Sequence, residues 1–223
     1  MKFISYSRYF FYIAYNWTFA IARHIVRHEI RGEKEYGINS TGADELKGME
    51  AKGIDISHAT IYMPASYDLL ENLFNQLTPT DYNHFVDIGS GKGRAMCVAA
   101  AKGFKKVTGI DFSKNFCVAA LENLSGMKTR IPALQYKVIN NDAFYFEIDT
   151  DVDCIFMFNP FDEIIMNAVI NNIEKSLRKL PRDITLIYCN PLHRDLFFKR
   201  KYVSVYHTQT LKYLEADILL KKK

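Results

Sequence analysis

The chain has 223 residues, of which 48% are hydrophobic and 24% are charged, and its formal net charge is +4. This length and apolar content suit one compact domain with an ample core and at most a small extension. The basic residues are scattered in short groups, whereas nucleic-acid-binding domains concentrate them on one face, so the composition does not indicate a nucleic-acid partner.

The first predicted element is a helix from Phe3 to Ile30, in which apolar residues recur three or four positions apart. Its uncharged run, residues 9–22, is shorter than the roughly 20 residues that span a bilayer, so we do not expect a transmembrane helix. Three interpretations stay open. The helix is a cap or lid, or an interfacial helix whose aromatic residues and arginines give residues 3–30 a peripheral membrane contact, or a signal peptide.

The histidines and cysteines indicate neither a metal centre nor a disulfide framework. His24 and His28 have the i, i+4 spacing of helical metal ligands, but no third ligand accompanies them, so we expect a polar helix face and no metal site. The cysteines stand singly in apolar runs, which is typical of core residues in a reducing compartment. They are Cys97, Cys117, Cys154 and Cys189. We expect a cytoplasmic protein, at the inner face of a membrane if the first helix is interfacial.

Residues 31–53 hold five of the eleven glycines together with many charges, which favours a linker or a mobile segment. A helix follows, with Leu69, Leu73 and Leu77 on its apolar face. We therefore divide the chain into an N-terminal helix and linker, residues 1–58, and a main domain, residues 59–223.

From residue 84 onward, strand and helix patterns alternate with short connections. This arrangement predicts parallel strands joined by right-handed crossovers, with helices on both faces of the sheet. The last two strands are nearly contiguous and should form a hairpin, so the fold class is α/β with a doubly wound, seven-stranded, mostly parallel sheet. The predicted strands are residues 84–88, 106–110, 134–139, 152–158, 184–189, 201–207 and 212–220, and the predicted helices are residues 93–103, 113–124, a short one near 143, 162–179 and 191–198.

The first strand leads into a loop with the pattern D-x-G-x-G-x-G, from Asp87 to Gly93. Glycines at alternate positions let the backbone approach a ligand closely. The dinucleotide fingerprint G-x-G-x-x-G does not fit, because Arg94 stands where its third glycine belongs, and no Walker A loop occurs.

This loop resembles motif I of the seven-strand S-adenosylmethionine (SAM) methyltransferases, in which it lies against the methionine and ribose of SAM. The resemblance covers about residues 60–220 and implies a Rossmann-like fold, methyl transfer and SAM as the cofactor, with residues 59–223 as the SAM-binding domain. The cofactor-binding residues that it implies are Tyr62, Asp87, Gly89, Ser90, Gly91, Gly93, Asp111, Phe112, Asp142 and Ala143.

The resemblance also assigns roles to several of these residues. Asp111, about 20 residues past the loop, would accept hydrogen bonds from the ribose hydroxyls, and Phe112 would cover the adenine. Asp142 would accept from the adenine amine, and Tyr62 would reach over the methionine. The alternatives are that Asp111 caps the next helix with Ser113, that Asp142 caps a short helix, and that Tyr62 packs in the core.

The segment Asn159, Pro160 and Phe161, after the fourth strand, resembles a shortened [DN]-P-P-[YF] motif of amino-group methyltransferases, without the second proline. The resemblance implies that these residues are catalytic: the asparagine oxygen and a backbone carbonyl accept the amine hydrogens, and the aromatic ring walls the acceptor. The alternative is that Asn159 caps the next helix, with Pro160 at its first position. A second Asn-Pro pair, at residues 190–191, lines the acceptor pocket or, as capping favours, starts a helix.

We therefore expect a SAM-dependent methyltransferase whose acceptor is an amine nitrogen on a protein lysine or a small molecule. The sequence DIGSG at residues 87–91 and the Tyr-x-Pro pattern at residues 62–64 are loosely similar to those of the non-SET protein-lysine methyltransferases. The alternatives are an RNA or DNA base methyltransferase and a nucleotide-binding module without catalytic activity.

Overall fold

The structure is a computed structural model that describes residues 2–42, 63–158, 161–210 and 214–223. Its helices are α1 (Lys2–Asn16), α2 (Phe19–Tyr36), α3 (Tyr67–Phe74), α4 (Arg94–Lys102), α5 (Lys114–Arg130), α6 (Glu163–Lys179) and α7 (Arg194–Phe198). Its strands are β1 (Phe85–Ile88), β2 (Lys106–Asp111), β3 (Gln135–Asn140), β4 (Cys154–Phe158), β5 (Ile184–Cys189), β6 (Val203–Thr210) and β7 (Leu214–Lys221).

The strands form one seven-stranded sheet in the order β3-β2-β1-β4-β5-β7-β6. β1 pairs in parallel with β2 and β4, so that Ile88 lies opposite Ile110 on one side and Met157 on the other. β7 runs antiparallel to both β5 and β6. The prediction of a mostly parallel sheet with a terminal hairpin is confirmed. The strand order reverses between β1 and β4, which is where open α/β sheets bind their ligands.

Alternate residues of the central strands belong to two separate cores. Phe85 and Phe156 pack in one core with residues of α3 and α4, whereas Val86 and Ile155 pack in the other with residues of α6. Because successive strand residues point to opposite faces, this division places helices on both sides of the sheet. The prediction of a doubly wound sheet is thus confirmed.

The N-terminal region differs from the single helix predicted for residues 3–30. It breaks before Thr18, whose Oγ1 accepts a hydrogen bond from the Ile21 N–H at 3.3 Å and so begins a new helix. A threonine that accepts from the backbone favours a helix start over a helix interior. α2 then runs to Tyr36 and ends at Gly37, so the first part of the predicted linker is helical. Within the described residues, no helix is long and apolar enough to cross a membrane.

One further helix prediction is wrong, and another helix is present but starts later than predicted. Residues 143–145 form a turn instead of a short helix, with the Tyr145 N–H donating to the Asp142 carbonyl at 3.2 Å. The helix after β5 begins at Arg194, not at residue 191. Asn190 has a left-handed φ of 47°, which turns the chain before the helix can start.

Candidate active site

The loop between β1 and α4 holds its three glycines in left-handed conformations. The φ angle is 81° at Gly89, 51° at Gly91 and 76° at Gly93. Residues with a Cβ rarely adopt these angles, so the alternating glycines determine the shape of the loop. Gly93 also lies close to α5, where an added Cβ would be 3.1 Å from the Cβ of Ala120.

Asp111, at the end of β2, lies against this loop. Its Oδ2 accepts a hydrogen bond from the Gly91 N–H at 2.7 Å, and its Oδ1 accepts from the Ser113 N–H at 2.8 Å. The N-cap of α5 is Ser113 itself, whose side chain accepts from the Phe116 N–H. A carboxylate oxygen has more than one lone pair, so Asp111 can hold the loop and still accept from ribose hydroxyls.

Two carboxylates are buried beside the loop. Asp87 is 2% exposed and Asp111 is 7% exposed, and no lysine or arginine within the described ranges forms an ion pair with either one. Burial, followed by the charge of Asp111, raises the pKa of Asp87 well above its usual value. Burial also raises the pKa of Asp111 to about 6, although its backbone hydrogen bonds act in the opposite direction. A raised pKa favours the protonated form of Asp87, so the negative charge beside the loop near neutral pH comes from Asp111.

These groups fit SAM better than a ligand that carries phosphates. The sulfonium and amino groups of SAM are cations, which the ionised carboxylate of Asp111 attracts, whereas it would repel a pyrophosphate. The Ser90 Oγ is buried against β2 and has no hydrogen-bond partner in the described part of the chain. Arg94, the first residue after the loop, donates a hydrogen bond to the Glu29 carboxylate at 2.5 Å.

The residues predicted to contact the adenine follow β2 and β3. Phe112 is half-buried and Ala143 is buried. The Asn140 amide donates to the Phe112 carbonyl at 2.8 Å, which joins the two strand ends. Asp142 is exposed, and its Oδ1 accepts from the Phe144 N–H at 2.8 Å. Asp142 thus caps a turn at this edge of the sheet, and its contact with adenine stays a prediction.

Part of the predicted acceptor site lies outside the described residues, namely Asn159 and Pro160, as does Tyr62. Phe161 is half-buried. The N-cap of α6 is Asp162, whose side chain accepts from the N–H groups of Ile164 at 3.0 Å and Ile165 at 3.1 Å. Asn159 is therefore not the cap of this helix, contrary to the alternative interpretation of the motif.

A buried ion pair between the loop and α2 was missed by sequence reasoning. Both terminal nitrogens of Arg94 lie 2.5 Å from the carboxylate oxygens of Glu29. Arg94 also donates to Ser40 Oγ at 2.8 Å, and its guanidinium carbon lies 4.2 Å from the ring centroid of Tyr67. The two charged partners are 65 residues apart in the chain, so no helix or strand period could have revealed the pair.

Gly109, within β2, is a second residue that sequence reasoning missed. A Cβ at this position would lie 2.4 Å from Met96 Sδ and 2.7 Å from Ser90 Oγ. β2 can therefore pass this close to the loop only because position 109 has no side chain. The available signal was a glycine inside a strand, which often marks a close approach of two segments.

The expectation of no metal site rested on the lack of a third ligand beside His24 and His28, and that premise is wrong. Asp68 Oδ2, at the start of α3, lies 2.7 Å from His24 Nε2, and the ring centroids of His24 and His28 are 4.6 Å apart. These three side chains are close enough to hold a metal ion. The contact between His24 and Asp68 joins α2 to α3.

The sheet order, the glycine loop and the acidic ends of β1 and β2 together are those of the class I SAM-dependent methyltransferases. Strand order 3-2-1-4-5-7-6 with an antiparallel seventh strand is the architecture that the sequence resemblance implied. The loop conformation and the carboxylate of Asp111 beside it suit the cofactor of that class.

Comparison with known proteins agrees with this class. Residues 85–180 match a family model described as a methyltransferase domain. A protein from Haemophilus influenzae described as a methylase superposes with a TM-score of 0.55 at 19% identity, covering 70% of this chain and 98% of its own. Ribosomal protein L11 methylase from Lactobacillus delbrueckii subsp. bulgaricus has a TM-score of 0.53 at 14% identity, covering 70% and 77%. No curated protein matches the sequence.

A third solved structure is the tRNA (uracil-54, C5)-methyltransferase of Pyrococcus abyssi in complex with S-adenosyl-L-homocysteine. It has a TM-score of 0.50 at 14% identity and covers 69% of this chain and 36% of its own. At these identities the likenesses establish the shared fold, and the acceptors of the relatives differ. The methyltransferase-domain model covers the segment from β1 to the end of α6, which is less than half of the chain. The chain thus has the fold of the class I SAM-dependent methyltransferases, with a methyltransferase-domain match over that segment.

Proposed function

We propose that the chain transfers the methyl group of SAM to an amine nitrogen on a protein or a small molecule. Support comes from the position of Asn159 and Phe161 in the chain. β4 ends at Phe158, and its residue Met157 pairs with Ile88, which directly precedes the glycine loop. Parallel strands leave a sheet at the same edge, so β4 ends beside the loop that holds the methyl donor.

The observation that carries the proposal is the N-cap of α6. An asparagine before a helix is usually explained by capping. Here Asp162 caps α6, so the capping of α6 does not explain an asparagine at position 159. An asparagine amide oxygen is a strong hydrogen-bond acceptor, and its place after the strand next to β1 suits an acceptor group that must be oriented toward the donor.

The mechanism requires the chain to hold two reactants in line. Bound SAM supplies a methyl group that its sulfonium already activates. Asp111 would accept hydrogen bonds from the ribose hydroxyls, and the Gly91 N–H holds its carboxylate in position. The Asn159 oxygen would accept an amine hydrogen and so direct the nitrogen lone pair, and Phe161 would wall the acceptor against water.

The acceptor nitrogen needs a free lone pair. An alkylamine with a pKa of about 10.4 is almost fully protonated at neutral pH, so a proton must leave the amine before the methyl is transferred. Methyl transfer to such an acceptor should accelerate as the pH rises.

A labelling experiment tests the proposal. We expect that a lysate incubated with the protein and SAM labelled on the methyl group will carry label in a fraction that resists nuclease. The label should also survive mild alkali, because N-methyl groups are stable there and methyl esters hydrolyse. Asn159→Ala should lower the transfer rate by about tenfold or more, since orientation is lost, while the Kd for SAM changes by less than about twofold.

The matched control is Asn171→Ala, which makes the same change at an exposed asparagine within α6. It should leave the transfer rate unchanged. Label that nuclease releases would overturn the amine acceptor in favour of a nucleic acid, and alkali-labile label would favour oxygen. Equal losses in the two variants would show that Asn159 has no specific role.

A further inference from the structure

Helices α1 and α2 form a hairpin with a small core of its own. Tyr9 and Ile13 of α1 pack against Ile21, Ala22 and Ile25 of α2. This cluster is separate from the two cores that flank the sheet. The hairpin therefore presents an outer surface that the sheet domain does not cover.

The turn of the hairpin exposes a group of aromatic rings. Phe11 is 70% exposed, Tyr15 is 91% exposed and Phe19 is 67% exposed. The ring of Phe10 makes edge contacts with Phe11 at 5.6 Å and with Phe19 at 5.1 Å, so these three rings lie together. Tyr15 lies one helical turn after Phe11, on the same face of α1. We call these four residues the aromatic apex. Large apolar side chains grouped on a surface mark an interaction site, whereas single exposed ones do not.

Exposed arginines lie behind the aromatic apex on the same helix faces. Arg8 precedes Phe11 by three residues, and Arg23 and Arg27 follow Phe19 by four and eight. At 1.5 Å per residue these arginines are about 5 to 12 Å from the rings along the helix axes. Residues 1–28 contain four lysines or arginines and no aspartate or glutamate.

We propose that the α1–α2 hairpin binds the surface of a membrane that contains anionic lipid. An interfacial helix places its apolar face about 5 to 10 Å into the headgroup region. In this depth range the aromatic apex would enter the interface, which aromatic side chains prefer, and the arginines would meet the lipid phosphates. The hairpin rests on the surface and does not span the bilayer.

The charge of the hairpin favours a lipid surface over a second copy of the chain. A symmetric dimer through the aromatic apex would bring two sets of arginines together, and like charges across an interface oppose association. An anionic lipid surface attracts each of these arginines. Within residues 1–28, which hold these arginines and the aromatic apex, there is no aspartate or glutamate that would oppose this attraction.

The test measures the fluorescence of Trp17 in the full chain. Trp17 is the single tryptophan of the sequence and lies at the turn of the hairpin. Vesicles of phosphatidylcholine are compared with vesicles that also contain about 30% phosphatidylglycerol. We expect the anionic vesicles to shift Trp17 emission to shorter wavelength and to protect it from a soluble quencher. Binding to them should be at least about tenfold tighter and should weaken at high salt.

Variants separate the apolar and charged contributions. Replacing Phe11, Tyr15 and Phe19 by serine should weaken vesicle binding by at least about tenfold, since each buried ring contributes to insertion. Replacing Arg8, Arg23 and Arg27 by glutamine should remove the preference for anionic lipid. The matched control replaces three exposed apolar residues of the sheet domain by serine, namely Ile164, Leu180 and Val205, and it should bind like the original protein.

Three results would overturn the proposal. The first is an unchanged Trp17 spectrum with anionic vesicles, a measurement that needs no variant and cannot fail through misfolding. The second is equal binding by the apex variant and the control variant. The third is a dimer that the apex variant converts to a monomer in light scattering, which would assign the surface to a second copy of the chain.

Discussion

At the residue scale, Asp111 combines two demands that oppose each other. It holds the glycine loop through the Gly91 N–H, and it lies where the family resemblance expects the ribose. Burial of this carboxylate beside Asp87 makes its charged form unfavourable when no cation is bound. Ligand binding and proton binding should therefore compete at this residue.

The first prediction is a pH dependence of SAM binding. The pKa of Asp111 is raised from 3.8 to about 6 by burial, so the stability that it gives the unliganded protein is present below about pH 4 and is lost as the pH rises through 6. A cationic ligand favours the ionised form, so affinity changes in the opposite sense. We expect SAM to bind about tenfold more weakly at pH 5 than at pH 7 in calorimetry.

Asp111→Asn is the control for this titration, because it keeps the shape of the side chain and cannot ionise. Its affinity should be low and nearly constant over the same pH range. A step of equal size in Asp111→Asn would assign the titration to Asp87, whose pKa is also raised, and would contradict the role given to Asp111.

At the element scale, α2 is attached to the start of α4 by buried polar contacts. Glu29 accepts from Arg94 and, at 2.6 Å, from the Thr41 hydroxyl. Glu33 accepts from the backbone N–H groups of Ser40 and Thr41 at 2.9 and 2.8 Å. The segment after α2 and the helix after the glycine loop are thus joined through the same few side chains.

The second prediction concerns the charge of Glu29. Glu29→Gln leaves Arg94 buried without its counter-charge, which should lower the free energy of unfolding by about 3 kcal/mol in urea titrations. SAM affinity should fall as well, because Arg94 directly follows the loop. The control is Glu147→Gln, which breaks an exposed pair with Lys175 and should leave the free energy of unfolding nearly unchanged. Equal changes in both variants would contradict this view of the buried pair.

The element order was predictable from the sequence because local periodicity determines it. Strands and helices alternate from residue 84, and the glycine loop follows the first strand as its spacing indicates. The break before Thr18 was not predictable from periodicity, since both helices continue one apolar pattern. The pair of Arg94 with Glu29 depends on a tertiary contact between distant parts of the chain. The cap at Asp162 depends on which of several neighbouring polar residues begins the helix. Neither feature leaves a periodic signal in the sequence.

At the scale of the whole molecule, the question is whether the hairpin and the sheet domain unfold together. The hairpin has its own small core, which favours independence. The buried ion pair of Glu29 with Arg94 and the contact of His24 with Asp68 join α2 to α4 and α3, which favours a single unit. The predicted boundary near residue 58 lies in the stretch between the described ranges and stays a prediction.

We expect one cooperative transition, because unfolding of α2 alone would leave the buried Arg94 uncompensated. Trp17 fluorescence reports the hairpin alone, and far-ultraviolet circular dichroism reports all helices, so their urea midpoints should coincide. SAM at about 100 times its Kd should raise the free energy of unfolding by about 2.7 kcal/mol with either probe. If Trp17 instead reports a separate transition that occurs earlier and does not respond to SAM, the hairpin folds independently, and the buried pair does not couple it to the cofactor loop.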